Sequence, residues 1–139
     1  MRAKEFLVQY WDAKAEVKRL EHQLAEIEDL VGNVTVDPTS EHVQKSRDPD
    51  QIGELVARKA DIESDLDAAK QKALATMQRV INVINMLKER EYRQILQMRY
   101  VEHTSWRRIA EDMNYDGRYI YKLYNRALDE MDRILDRTV

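Results

Sequence analysis

Between Phe6 and Val31 the apolar or small residues fall at Phe6, Tyr10, Ala13, Val17, Leu20, Leu24, Ile27 and Val31, in steps that alternate 4 and 3. A helix with such a seam must bury it against another helix, because the stripe stays on one side for its whole length. The spacing predicts a helix over about residues 3–31, roughly 40 Å long at ~1.5 Å per residue. The same spacing returns from about Gln51 to Lys88, at Leu55, Ile62, Leu66, Ala69, Ala73, Val80, Val83 and Leu87. Lys59 and Thr76 interrupt it, and Ile52, Met77 and Ile84 flank it. Two such seams in one chain predict a long antiparallel coiled-coil helical hairpin. Pairing between two copies into a homodimer stays open. Both can hold together, since Phe6, Leu7, Tyr10 and Trp11 offer more apolar surface than one seam needs.

Between the seams stands "GNVTVDPTSEHVQKSRDPDQIG", Gly32 to Gly53, with both prolines and two of the three glycines of the chain. It breaks the period and reads as a connector loop over residues 32–50. About 19 residues is long for a helical hairpin, so the loop is either without regular structure or used for something. From Glu91 on, three shorter helices fit, at about 91–101, 105–113 and 117–136, separated by "VEHT" and "NYD". Lys88–Glu91 reads as helix throughout. The expected fold is all-α: a coiled-coil hairpin over residues 1–88, then a C-terminal helix-turn-helix DNA-binding domain over 89–139. The composition agrees, with 35% charged residues, 3 Gly and 2 Pro in 139 residues.

The chain has no Cys, which excludes a disulfide framework, a thiolate nucleophile and Cys-ligated zinc. Charges run through the first turns, so no signal peptide is visible. No apolar run approaches the ~18 residues of a membrane span. The expectation is a cytoplasmic chain with no membrane association. The net charge of −3 is uneven. Residues 1–87 hold 12 Lys and Arg against 16 Asp and Glu, whereas residues 90–126 hold 8 against 5. A basic end on an acidic body points weakly to nucleic acid.

That basic end contains "SWRRIAEDMNYDGRYIYKLYNRAL", Ser105 to Leu128. A helix-turn-helix needs a small residue where its helices cross, a turn residue that tolerates left-handed backbone, and apolar residues from both helices facing one core. With Trp106 as the first position, Ile109 faces inward, Ala110 is the small crossing residue and Met113 closes the first helix. Asn114 takes the turn, where Gly is commonest but Asn is accepted. Tyr115 is the apolar turn residue, and Asp116 can cap the next helix. Ile120, Leu123, Ala127, Leu128 and Met131 then face inward.

The outward residues follow. Gly117, Arg118, Tyr121, Lys122, Asn125 and Arg126 face out, and the N-terminal half of their helix would enter a major groove. Arg118, Lys122 and Asn125 suit base edges. Gly117 lets the helix start sit close to DNA. Arg107 and Arg108 suit phosphates, with the Thr104 and Ser105 hydroxyls and free amides beside them. Of Tyr119, Tyr121 and Tyr124, at least one should pack against the preceding helix, and Tyr124 is best placed.

The segment "REYRQILQMRYVEHTSWRRIAEDMNYDGRYIYKLYNRALDEM" resembles region 4 of sigma-70-type sigma factors. The likeness rests on "IL-x-MRY", the polar "HTSW", "RIAEDM", the short turn and a last helix ending "RAL". It implies a module that reads promoter DNA and touches RNA polymerase. With its coiled front end and "VTVDPTSEHVQKS" connector, the whole chain looks like small region-4-like transcriptional regulators of phages and prophages of Gram-positive bacteria. The Pro common just before region 4 is absent, and no region 2, the part that melts promoter DNA, is recognisable. The resemblance therefore implies an activator or accessory factor at promoters, with double-stranded DNA and host RNA polymerase as partners.

Nothing in the sequence looks like chemistry. His22, His42 and His103 are scattered without partners at metal spacing. Glu26–Glu28 and Glu111–Asp112 lie on predicted helices with no nucleophile beside them. No Gly-rich phosphate loop exists. The expectation is a binding protein rather than an enzyme, with no metal or cofactor. Two alternatives stay open: a DNA-packaging protein like a phage small terminase, and a protein-only adaptor of RNA polymerase.

Overall fold

The computed structural model describes residues 2–34 and 49–137. Among these the fold is all-helical, without strands: α1 (Arg2–Val34), α2 (Pro49–Ile84), α3 (Arg90–Leu96), a π-helical turn (Gln97–Val101), α4 (Trp106–Met113) and α5 (Gly117–Arg137).

The seams explain why α1 and α2 are long. Every seam position on either helix is buried or half-buried, with Tyr10, Ala13, Leu20 and Ile27 of α1 and Leu66, Ala73 and Val80 of α2 buried. Thr76, which interrupts the pattern, is buried too. The connector is shorter than predicted at both ends, because α1 takes in Gly32 and α2 takes in Gly53. One exposed Gly lowers helix stability by only about 1 kcal/mol, which a helix of many turns absorbs. Pro49 stands first in α2, where its missing N–H is no loss. The rest of the predicted connector, residues 35–48, lies outside the described residues.

Lys88–Glu91 is not continuous helix, contrary to expectation. α2 ends at Ile84, and the amides of Met86 and Leu87 close tight turns on the carbonyls of Val83 (3.0 Å) and Ile84 (3.0 Å). The break drives Leu87 into the core at 1% exposure. Its freed polar groups find side chains. Arg93 Nη1 donates to the carbonyls of Leu87 (2.7 Å) and Lys88 (3.0 Å), and the Lys88 amide donates to Glu130 Oε1 (3.2 Å).

Packing divides the chain into two compact units, Met1–Ala13 with Ala73–Val139, and Lys14–Lys72. The sequence drew its line at 88/89; the first unit runs across that line. Its core joins Ala3, Leu7 and Tyr10 of α1 and Val80 and Ile84 of α2 to residues of α3, α4 and α5. Full burial of a side chain such as Leu7 contributes about 1.5–3 kcal/mol. Polar contacts fix the same junction. The Ala3 amide, an orphan donor at the α1 start, donates to Asp132 Oδ1 of α5 (2.7 Å), and Arg2 pairs with Asp136 (3.0 Å). The Trp11 indole donates to the carbonyl of Tyr100 (3.0 Å), a residue of the π turn.

The second unit has fewer buried apolar residues, Leu20, Ile27 and Leu66. Here the Arg19 guanidinium, hydrogen-bonded to Glu16, holds that carboxyl below its ordinary pKa, and Lys72 adds to the pull. Arg19 in turn is raised, chiefly by Glu16 and further by Asp65.

Candidate nucleic-acid interface

The interface starts from how the chain enters α4. Ser105 is the N-cap, and its Oγ accepts from the Arg108 amide (3.2 Å). The Thr104 amide donates to the Met98 carbonyl (2.8 Å). These two amides are therefore engaged within the fold and are not among the free amides expected at this helix start. Thr104 is half-buried, and its carbonyl accepts from Arg99 Nη1 (3.2 Å).

α4 stops at Asn114, whose φ of 61° and ψ of 40° are left-handed. Asn reaches this region more readily than other residues with a Cβ. The Tyr115 amide closes on the Ala110 carbonyl (3.1 Å), and Asp116 Oδ1 accepts from the Tyr119 amide (2.9 Å), capping α5. α4 and α5 are thus separate helices joined by residues 114–116. Ile109, Ile120, Leu123, Ala127, Leu128 and Met131 are buried, and Ala110 and Met113 are half-buried. Tyr115, expected as the apolar residue of the turn, is in the turn but at the surface. It is 37% exposed, its hydroxyl donates to Glu91 of α3, and its ring meets Tyr119 edge-on at 4.6 Å. The hydroxyl explains this, since a partner for it lies at the surface. That bond also raises the Tyr115 pKa.

On the opposite side of α5, Gly117, Arg118, Tyr121, Lys122, Asn125 and Arg126 are all exposed. Arg118, Lys122 and Arg126 form no ion pair among the described residues. Arg107 and Arg108 differ. Each faces a carboxylate one turn on, Glu111 at 3.4 Å and Asp112 at 3.2 Å. Both pairs are exposed, and surface pairs of this type hold their partners weakly. Gly117 has no role in the packing: a Cβ there would meet nothing within 4 Å, and its φ is not left-handed.

Behind this face lies an aromatic layer that sequence spacing did not reveal as a unit. Trp106 stacks on Tyr121 (5.2 Å between centroids) and meets Tyr124 edge-on (4.6 Å). Arg99 lies over both Trp106 (4.7 Å) and Trp11 (5.4 Å). Tyr124 is buried, as its place suggested, and shares a hydroxyl–hydroxyl hydrogen bond with Tyr100 (2.5 Å). Burial first, and then this bond, pushes its pKa well above the ordinary tyrosine value. Lys4, from the far end of the chain, sits 5.9 Å from the Tyr124 ring. No local spacing could have found Lys4 or Trp11, because each lies about 90 residues or more from its partners.

The histidines are dispersed. His22 is exposed beside Glu26 (3.2 Å), His103 lies in a left-handed turn against the Trp11 ring (5.5 Å), and His42 is outside the described residues. Among the described residues no group of three or more His, Asp or Glu could hold a metal. None of the described helices is long and apolar enough to cross a membrane.

Comparison with known proteins gives one family. The profile of the family described as "Protein of unknown function (DUF1492)" matches residues 34–132, which reach from the end of α1 into α5. No curated protein matches, and no solved structure matches.

Proposed function

The chain belongs to the DUF1492 family of proteins of unknown function, and we propose that it is a sequence-specific, double-stranded-DNA-binding transcription regulator. In this reading α4 and α5 form a helix-turn-helix resembling sigma-70 region 4, with α5 as the recognition helix. Residues 16 to 34 of α1 and 49 to 72 of α2 form the arms of an antiparallel coiled-coil hairpin. The opposite chain order of Glu16 with Lys72 and Arg19 with Asp65 supports that direction. The protein acts in the cytoplasm of a bacterial host, from a phage or prophage, at promoters bound by host RNA polymerase.

The observation that carries the reading is the two-faced α5. One face is buried through Ile120, Leu123, Ala127 and Leu128; the other exposes Arg118, Lys122, Asn125 and Arg126, whose cations are free of ion pairs among the described residues. Cations paired with no protein carboxylate are available to phosphates and to guanine edges. Gly117 adds support. Gly is unfavourable in a helix, and nothing in the packing asks for it, whereas close backbone approach to a duplex would.

The test is binding to a library of promoter-bearing fragments across a salt series. With about five phosphates contacted, log affinity falls with log salt at a slope of about −4.5. Absence of salt-sensitive binding at micromolar protein would remove the reading. Light scattering separates the packaging alternative, for which a ring of many subunits is expected. Unchanged promoter activity in an Arg118→Ala, Lys122→Ala double variant would favour the adaptor.

A further inference from the structure

We propose that Gly117 and Tyr121 form an apolar seat for the 5-methyl group of a thymine in the major groove. This rests on the DNA-binding reading above and names one base that it reads. The two residues lie four apart on α5, so they share a face one turn apart. Tyr121 is 51% exposed, yet its ring is held by the Trp106 ring stacked 5.2 Å away. An aromatic ring that is both exposed and held loses little freedom when it meets a ligand.

A side chain on a helix covers the turn N-terminal to its own Cα, so the Tyr121 ring overhangs the turn that holds Gly117. There the surface is open, since beyond its chain neighbours and its own helix backbone nothing lies within 4 Å of where a Cβ would stand. The result is a shallow concavity lined by Asp116, Gly117, Arg118 and Tyr121.

Two features select the occupant. The surroundings are cationic on balance, with Arg118 and Lys122 exposed beside the seat against one carboxylate, Asp116, which caps α5 through the Tyr119 amide. This suits a polyanion rather than an apolar peptide. Of the natural groups displayed in the major groove, the thymine methyl is the apolar one, and small apolar or aromatic contacts are how proteins read it. Arg118 and Lys122 then remain for neighbouring guanine edges or phosphates.

The test uses the full chain and a duplex selected for tight binding, with each thymidine replaced in turn by deoxyuridine, which removes only the methyl. At one position the replacement should weaken binding about fourfold, the amount for one buried methyl group. Tyr121→Ala should lose that sensitivity at the same position, and Tyr121→Phe, which keeps the ring, should retain it. Uniform affinity for every deoxyuridine duplex would overturn the proposal. So would an equal penalty in Tyr121→Ala, or a selected site without thymine. Those results would leave DNA binding itself standing, whereas failure to retain any duplex would overturn the DNA-binding reading and this seat together.

Discussion

Gly117 is the residue at which stability and function should part. Its backbone is ordinary helix and its missing Cβ faces open space, so Gly117→Ala should raise stability, by about 0.5 kcal/mol, in denaturant titration. The same variant should bind duplex DNA more weakly, and a variant that is both more stable and equally tight would contradict the close-approach role. Tyr124 gives a cleaner structural test. Its hydroxyl pairs with that of Tyr100, so Tyr124→Phe leaves a buried hydroxyl without its partner and should lower stability by about 1–2 kcal/mol. The pH sign follows from its raised pKa. In the unfolded chain Tyr124 ionises near pH ~10, while in the folded chain it stays neutral to higher pH. Its contribution is complete below that pH and falls as pH rises further. Above pH ~10 wild type should therefore lose stability more steeply than Tyr124→Phe, as followed by urea midpoints. Equal slopes would contradict the burial of this hydroxyl.

At the scale of elements, the break between α4 and α5 depends on one left-handed residue. Asn114→Gly should leave stability unchanged or slightly higher, whereas Asn114→Val should lower it by about 1–2 kcal/mol, because a β-branched residue resists φ of 61°. The first turns of α1 belong to the same unit as α5. Leu7→Ala should lower the stability of that unit by about 2–5 kcal/mol, since Leu7 is fully buried in a core that it shares with residues of α5 more than 100 positions away. These elements also show what could be read from the residues alone. The faces of α4 and α5 were legible because a period near 3.6, anchored at Ile109 and at the turn, sorts each side chain inward or outward. Two features were not legible. The α2 end at Ile84 rests on Arg93 and Glu130, which take up carbonyls and an amide across the gap. The cover over Ala3 and Leu7 also escaped, since a seam shows that a face must be buried but not which distant helix buries it. The surplus of Phe6, Leu7, Tyr10 and Trp11 was visible; its partner was not.

Over the whole molecule the net charge is acidic, yet one face of α5 exposes Arg118, Lys122 and Arg126, which form no ion pair among the described residues. Net charge of −3 should repel DNA at long range, so binding must come from the local face of α5 and should weaken steeply with salt. The candidate interface was readable as a list of exposed residues. Its aromatic backing, with Arg99 over Trp11 and Trp106, required the fold, because it draws on α1, the π turn and α4. The central claim is tested most directly by fluorescence anisotropy of one selected duplex across a salt series, for wild type, Arg118→Ala and Lys122→Ala. Wild type should show a log–log slope of about −4.5, and a cation that contacts phosphate should reduce that slope by about 1 when removed, while one that reads guanine should weaken binding by about 1–3 kcal/mol at its base pair. Salt-independent binding, or identical affinity and slope in all three proteins, would contradict the account.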